Sequence, residues 1–104
     1  MIEIIQTGTF KSWIKNLKDK AGAARINLRL LRLQNGNFGD HRAVGDGVSE
    51  LRFMFGPGYR VYYALVDECV ILLIAGGDKS SQFNDIDKAK QILRQWKDEQ
   101  YGQD

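Results

Sequence analysis

Hydrophobic residues in this chain recur with two periods. Through the first third they repeat every three to four positions, and from about residue 41 every two, so helices come first and strands follow. Ile2-Glu3-Ile4-Ile5 reads as a short opening strand, and Thr7 or Thr9 is placed to cap a helix by accepting from its free N–H groups. In that helix Phe10, Trp13, Ile14 and Leu17 form a core-facing stripe, with Lys11, Lys15 and Lys18 on another side. After a break near Lys20 to Gly22, a second helix runs to about Gln34. It buries Ala23, Ile26, Leu30 and Leu33, aligns Arg25, Arg29 and Arg32, and stops at Asn35-Gly36-Asn37. The short connection makes the two helices an antiparallel pair.

Four antiparallel strands follow in a meander, at about 40–45, 48–55, 59–66 and 69–76, joined at Gly45-Asp46-Gly47, Gly56-Pro57-Gly58 and Asp67-Glu68. Val70-Ile71-Leu72-Leu73-Ile74 is apolar on both faces, so this strand is central or well covered. A C-terminal helix starts at about Asp85, capped by Asn84 or Asp85. Its apolar row is Ile86, Ala89, Leu93 and Trp96, and Lys90, Arg94 and Lys97 favour its later turns. The order β-αα-ββββ-α predicts an α+β domain with helices on one face of a mostly antiparallel sheet.

Strand parity then assigns faces. A tight turn at Gly56-Pro57-Gly58 pairs Phe55 with Tyr59, Phe53 with Val61 and Leu51 with Tyr63 beneath the helices. The opposite layer sets Arg52 across from Tyr62, Met54 across from Arg60, Ala75 beside Arg60 and Arg42 across from Glu50, with Lys79 at the rim. Left open, such a face is a concave basic surface with an aromatic for stacking, suited to single-stranded nucleic acid. The same pattern fits a plainer arrangement: an Arg42–Glu50 ion pair, solvated Arg52 and Arg60, and a half-buried Tyr62.

Composition narrows the classes. The 104 residues are 43% hydrophobic and 27% charged, an ordinary single-domain make-up. The longest apolar run, Cys69 to Ala75, falls far short of the roughly 20 residues that span a bilayer, and no secretory signal opens the chain, so a cytoplasmic location is expected. With one cysteine, Cys69, and one histidine, His41, neither an internal disulfide nor a Cys/His zinc site is expected. Net charge is only +2, yet residues 9 to 60 hold ten Lys/Arg against four acids, the footprint of a protein that meets phosphates or an acidic partner.

Weaker constellations complete the search. Gly76-Gly77-Asp78-Lys79-Ser80-Ser81 is glycine-rich but lacks the spacing of a nucleotide-binding loop. A Cys69–His41 dyad competes with a small core cysteine, and His41 as a general base at the sheet edge points with Leu51, away from Arg52. Trp13 and Trp96 are helical core first. The Lys11/Lys15/Lys18 and Arg25/Arg29/Arg32 rows are solvated faces first and RNA phosphate contacts second.

Taken together, Glu50-Leu51-Arg52, Gly56-Pro57-Gly58-Tyr59-Arg60-Val61-Tyr62-Tyr63, Leu72 through Gln82, Asp85-Ile86 and Ala89 resemble the RelE/ParE toxin superfamily, within it the phage-derived HigB-like group called addiction module killer proteins. Phe10, Trp13, Leu17 and Gly36-Asn37-Phe38-Gly39-Asp40 extend the likeness over nearly the whole chain. The resemblance implies a RelE-like fold and a toxin of a type II toxin–antitoxin module that cuts mRNA on the ribosome without a metal or other cofactor. It further implies a cognate antitoxin of helix-turn-helix type, contact with operator DNA only through that antitoxin, and no membrane. ParE-like members instead poison DNA gyrase, and a decayed module would only bind its antitoxin.

By the same resemblance Arg60 matches the arginine that holds the scissile phosphate, Arg52 a basic strand position and Lys79 the basic residue after the last strand. Metal-free RNA cleavage needs a base for the 2′-OH, cations for the developing phosphorane charge and an acid for the leaving oxygen. Where nucleases of the family place a tyrosine or a Tyr/His cluster, this chain reads Gln82-Phe83-Asn84-Asp85, and Tyr101 falls past the helix. Asp85 is the candidate base, with helix capping as its alternative role; Arg42, Tyr62 and the two helical rows are candidate RNA contacts.

Overall fold

The structure, a computed structural model, describes residues 1–101. Strand β1 (Glu3–Gln6) leads into α1 (Gly8–Asn16), opened by Thr7, whose hydroxyl accepts from the Phe10 N–H at 3.1 Å and donates to the Ile74 carbonyl at 2.6 Å. Helix α2 (Lys20–Gln34) starts at Asp19, whose carboxylate accepts from the Gly22 N–H at 2.9 Å. It ends where Gly36 takes φ +90° and its N–H reaches the Leu33 carbonyl at 2.9 Å, a left-handed close that glycine adopts without the cost of a Cβ. Strands β2 (His41–Gly45), β3 (Val48–Arg52), β4 (Arg60–Asp67) and β5 (Val70–Gly77) follow, then a 3₁₀ turn (Lys79–Ser81) and α3 (Gln82–Tyr101).

The five strands form one mixed sheet in the order β1-β5-β4-β3-β2, antiparallel except for β1 beside β5. As its sequence demands, β5 is covered on both sides. Ile71 and Leu73 pack with Phe10, Ile26, Leu30 and Leu33 of α1 and α2, while Leu72 and Ile74 pack with Ala89 and Leu93 of α3. The fold is α+β, but with helices on both faces rather than one. The cause is the apolar row of α3: α1 and α2 already fill the first face, so the second is where that row can leave water.

The register between β3 and β4 also departs from the expected one. Met54 to Gly58 form a wide loop closed by the Phe53 N–H on the Tyr59 carbonyl and the Gly58 N–H on the Phe55 carbonyl, both at 3.1 Å, with Gly56 and Gly58 at φ +58° and +77°. Pairing therefore slides by two: Leu51 faces Val61, Glu50 faces Tyr62 and Arg52 faces Arg60. A two-residue slide leaves every side chain on its expected face. A bulge at Tyr62/Tyr63 sets Ala75 opposite Tyr62 and Gly77 opposite Arg60.

Helix α3 begins three residues early because Asp78 caps the preceding turn, accepting from the Ser80 N–H at 2.9 Å; Asn84 and Asp85 lie inside the helix, and Tyr101 is its last described residue rather than beyond it. Cys69 sits exposed in the β4–β5 turn, not in the core.

Trp13 packs so closely on β5 that a Cβ at Gly76 would come within 2.2 Å of its ring, whereas one at Gly8 meets nothing within 4 Å. Gly76→Ala is expected to cost roughly 1–3 kcal/mol of stability, read as a lower urea midpoint, and Gly8→Ala to leave the midpoint unchanged.

Candidate functional site

Glu50 shares with Val48 the face of β3 that α3 seals, while Leu51 points to the opposite face, and the Glu50 side chain is fully buried. Three elements converge on it. Arg42 of β2 donates from Nε to Oε1 at 2.8 Å, Gln82 at the start of α3 donates from Nε2 to both oxygens at 2.9 and 3.0 Å, and Arg60 of β4 sets Nε 3.4 Å from Oε2. The last contact is Coulombic without hydrogen-bond geometry, since Arg60 Nε is buried with no hydrogen-bond partner among the described residues. Arg60 Nη1 donates to the Gly58 and Tyr59 carbonyls at 2.9 and 3.1 Å. Its guanidinium is thus clamped along one edge, and among the described residues no hydrogen bond engages Nη2.

Arg60 also lines a hollow of about 340 Å³ walled by Phe53, Met54, the Gly56-Pro57-Gly58 loop and Lys79. A Cβ added at Gly58 would stand 3.4 Å from the Lys79 Cβ and 3.5 Å from Arg60 Nη1, so the root of the lysine side chain and the guanidinium flank one glycine. Arg52, paired with Arg60 across the strands, is partly neutralised by Asp40, which accepts from its Nε and Nη2 at 3.1 and 2.9 Å. Hydrogen bonding from Arg52 holds the Asp40 carboxyl below the usual carboxylate range. Two like charges directly opposite on adjacent strands repel, and Asp40 and Glu50 offset that repulsion.

The remaining candidates scatter. Tyr62, expected as an open stacking platform, is completely buried under α3, and its hydroxyl has no hydrogen-bond partner among the described residues. Burial first, then Glu50 and Asp85, push that hydroxyl upward, so it stays neutral and is no base. Asp85 does not cap the helix and does not face the Arg60 hollow. It accepts from the Ser81 Oγ at 2.5 Å and presses on Gly77, in a wide groove of about 990 Å³ that it shares with Asp19, Asp78 and Lys18. Lys11 and Lys15 are exposed elsewhere on α1.

The α2 arginines have structural duties that the sequence reading missed. Arg29 donates to the Asp40 carbonyl at 2.7 Å, to the Phe38 carbonyl at 3.4 Å and to the Arg52 carbonyl, and lies over the Phe53 ring at 4.6 Å; its burial lowers its pKa. Arg25 lies over Phe55 at 3.8 Å. Arg32 is exposed and joins them along a separate hollow of about 450 Å³ between α2 and the β3–β4 loop. His41 sits opposite Leu51, as expected, with Nδ1 2.8 Å from the Gly39 carbonyl and its ring 5.4 Å from Phe38. By register it and Cys69 lie at opposite ends of the sheet, so they form no dyad. Among the described residues no three His, Cys, Asp or Glu side chains are grouped to hold a metal ion, and no helix is long and apolar enough to cross a membrane.

The chain is therefore an α+β protein with a five-stranded mixed sheet and a cationic hollow at one end, anchored on a buried carboxylate. No protein-family model matches its sequence. A Haemophilus influenzae protein described only as an uncharacterized protein is 47% identical over 94 residues, covering 90% of this chain and 95% of its own length, and the chain belongs to the same family as that protein.

Removing one partner of a buried ion cluster strands the others. Glu50→Ala leaves Arg60 uncompensated and is expected to cost about 3–5 kcal/mol in urea unfolding. Asp40, whose folded pKa is depressed, contributes stability above the carboxylate range that disappears as pH falls through its folded value. Asp40→Asn is accordingly expected to lower stability at neutral pH and to flatten the acid limb of stability against pH.

Proposed function

We propose that this chain is a RelE/ParE-type, HigB-like toxin of a type II toxin–antitoxin module, acting as a metal-independent mRNA endoribonuclease on the ribosome and neutralised by a cognate antitoxin. The observation that carries this reading is the Arg60 guanidinium, clamped through Nη1 and beside the buried Glu50, in the wall of a hollow that Lys79 also lines. The element order β-αα-ββββ-α, the one the sequence pattern predicts, supports a RelE-like fold.

In the proposed reaction the ribose 2′-hydroxyl gives its proton to water, its oxygen attacks the adjacent phosphorus, the bond from phosphorus to the 5′ oxygen breaks, and that oxygen takes a proton from water, so that a 2′,3′-cyclic phosphate and a 5′-hydroxyl form. Negative charge grows on the non-bridging oxygens as the phosphorane develops. A guanidinium that is already oriented stabilises that charge without reorganising, and Lys79 adds a second cation. The protein's contribution is electrostatic and positional.

A second reading, a ParE-like toxin that inhibits DNA gyrase without cutting RNA, is favoured by one observation. Asp85, the carboxylate nearest the position of the family's base, is bound to Ser81 and presses on Gly77 instead of facing Arg60. A module reduced to binding its antitoxin is the third class.

Induction of the chain without antitoxin in bacterial cells, with mapping of new mRNA 5′ ends, separates the three. The expected result is growth arrest with cuts inside translated frames, lost in Arg60→Ala and reduced at least tenfold in Lys79→Ala, a change at an exposed residue that leaves the fold intact. Arrest without cuts moves the target to gyrase, and no arrest from soluble protein leaves the antitoxin-binding module. An Arg60→Ala variant that folds, binds antitoxin and stays fully toxic removes Arg60 from the mechanism.

A further inference from the structure

Two large apolar side chains stand almost free in water, one in the wall of the cationic hollow and one at the start of α3, the helix whose first residue reaches the buried Glu50. Met54, in the β3–β4 loop, and Phe83, in the first turn of α3, are each 89% exposed. Met54 forms part of the hollow's wall together with Arg60 and Lys79. Phe83 follows Gln82, whose amide is bonded to the same Glu50 that Arg42 and Arg60 face, and comes four positions after Lys79 across the 3₁₀ turn. It also shares a helix face with Lys90, seven positions on, whose ammonium reaches Asp46 in the β2–β3 turn at 3.6 Å. Phe83 therefore stands toward β2, where the Arg42 side chain is 54% exposed.

Exposed apolar side chains of this size cost solvation with no return inside the monomer, so the pair is informative where a scattered exposed leucine is not. Their setting names the occupant. Cations at Arg42, Arg60 and Lys79 call for an anion, while a methionine thioether and a phenyl ring offer faces to flat, apolar-faced groups. A strand of unpaired nucleotides has both, phosphates and bases in alternation. An acidic peptide supplies the charges without the planar faces.

We propose that Met54 and Phe83 are a split platform for unpaired nucleobases, one on each side of a phosphate held by Arg60 and Lys79, so that the hollow takes single-stranded RNA through backbone and bases together. This rests on the RNA reading given under Proposed function. It makes Met54 and Phe83 binding residues and assigns them no part in the chemical step.

The test uses the full chain, a labelled short oligouridine and an abasic ribose-phosphate strand of the same length, with binding read by fluorescence anisotropy. Phe83→Ala and Met54→Ala are each expected to weaken oligouridine binding roughly fivefold to tenfold and to leave the abasic strand unchanged. Phe83→Trp is expected to restore the loss, and Lys79→Ala to weaken both strands alike. Equal effects of Phe83→Ala on the two strands, or none on either while Lys79→Ala still acts, overturn the platform and leave the RNA reading standing. Failure of the unmodified chain to bind either strand overturns the platform, and the RNA reading then stands or falls with the mapping of mRNA 5′ ends. Toxicity lost in Phe83→Ala with oligouridine binding intact assigns the pair to a protein contact and overturns the platform as well.

Discussion

A carboxylate without solvent in the middle of a sheet face constrains everything around it. Stripping an ion of water costs of the order of 20 kcal/mol in an idealised apolar medium, and several kcal/mol in real proteins, unless partners replace the lost hydration. Around Glu50 those partners come from β2, β4 and α3. Each is thereby tied to the others: the edge strand to the centre, and the start of α3 to both. Well-packed apolar residues of similar volume often stabilise a fold as well as a buried ion pair does. What they do not supply is a counter-charge for a guanidinium, and in this protein the buried carboxylate supplies it to Arg60, whose direction the Gly58 and Tyr59 carbonyls fix.

The basic excess between residues 9 and 60 divides into charges consumed by the fold and charges left to act. Arg29 closes the chain between Phe38 and Asp40 onto α2, and a Cβ at Gly39, where φ is +63°, would meet its guanidinium at 3.0 Å. Arg25 covers the Phe55 ring, and Arg52 is tied to Asp40. Net charge along that segment counts these together with the exposed Lys11 and Lys15, although only charges of the latter kind are left outside the ion pairs described.

Much of the architecture was legible because it follows from periodicity. The stripes on α1 and α2, the four meander strands and the face of each strand residue survive even a two-residue change in register, since parity is blind to a slide of two. The register itself was not legible, because Gly56-Pro57-Gly58 fits both a tight turn and the wider loop observed. The covering of the second sheet face was readable and was misjudged. Leu72 and Ile74 point away from α1 and α2, and Ile86, Ala89 and Leu93 need a partner, so each apolar surface answers the other. With α3 placed there, Glu50 and Tyr62 are buried by parity, and the open basic face contracts to its rim at Arg60 and Lys79. Asp85 was misplaced for a local reason: Asp78 can cap as well as it can, and capping there starts the helix a turn sooner.

That contraction changes how a polyanion would be held. A broad arginine face would bind RNA chiefly through phosphates, with an affinity that falls steeply with salt. Each phosphate neutralised on a single strand contributes a slope of about −0.7 in log K against log salt. With Arg42 and Arg60 sharing Glu50, and Arg52 paired with Asp40, the seat offers little more than one guanidinium edge and one ammonium. On the RNA reading proposed above, roughly two phosphate contacts give a slope near −1.4, a weak anchor at physiological salt, where screening acts within about 8 Å. Binding energy has then to come from contacts that salt does not screen, and the exposed faces of Met54 and Phe83 are where the molecule offers them.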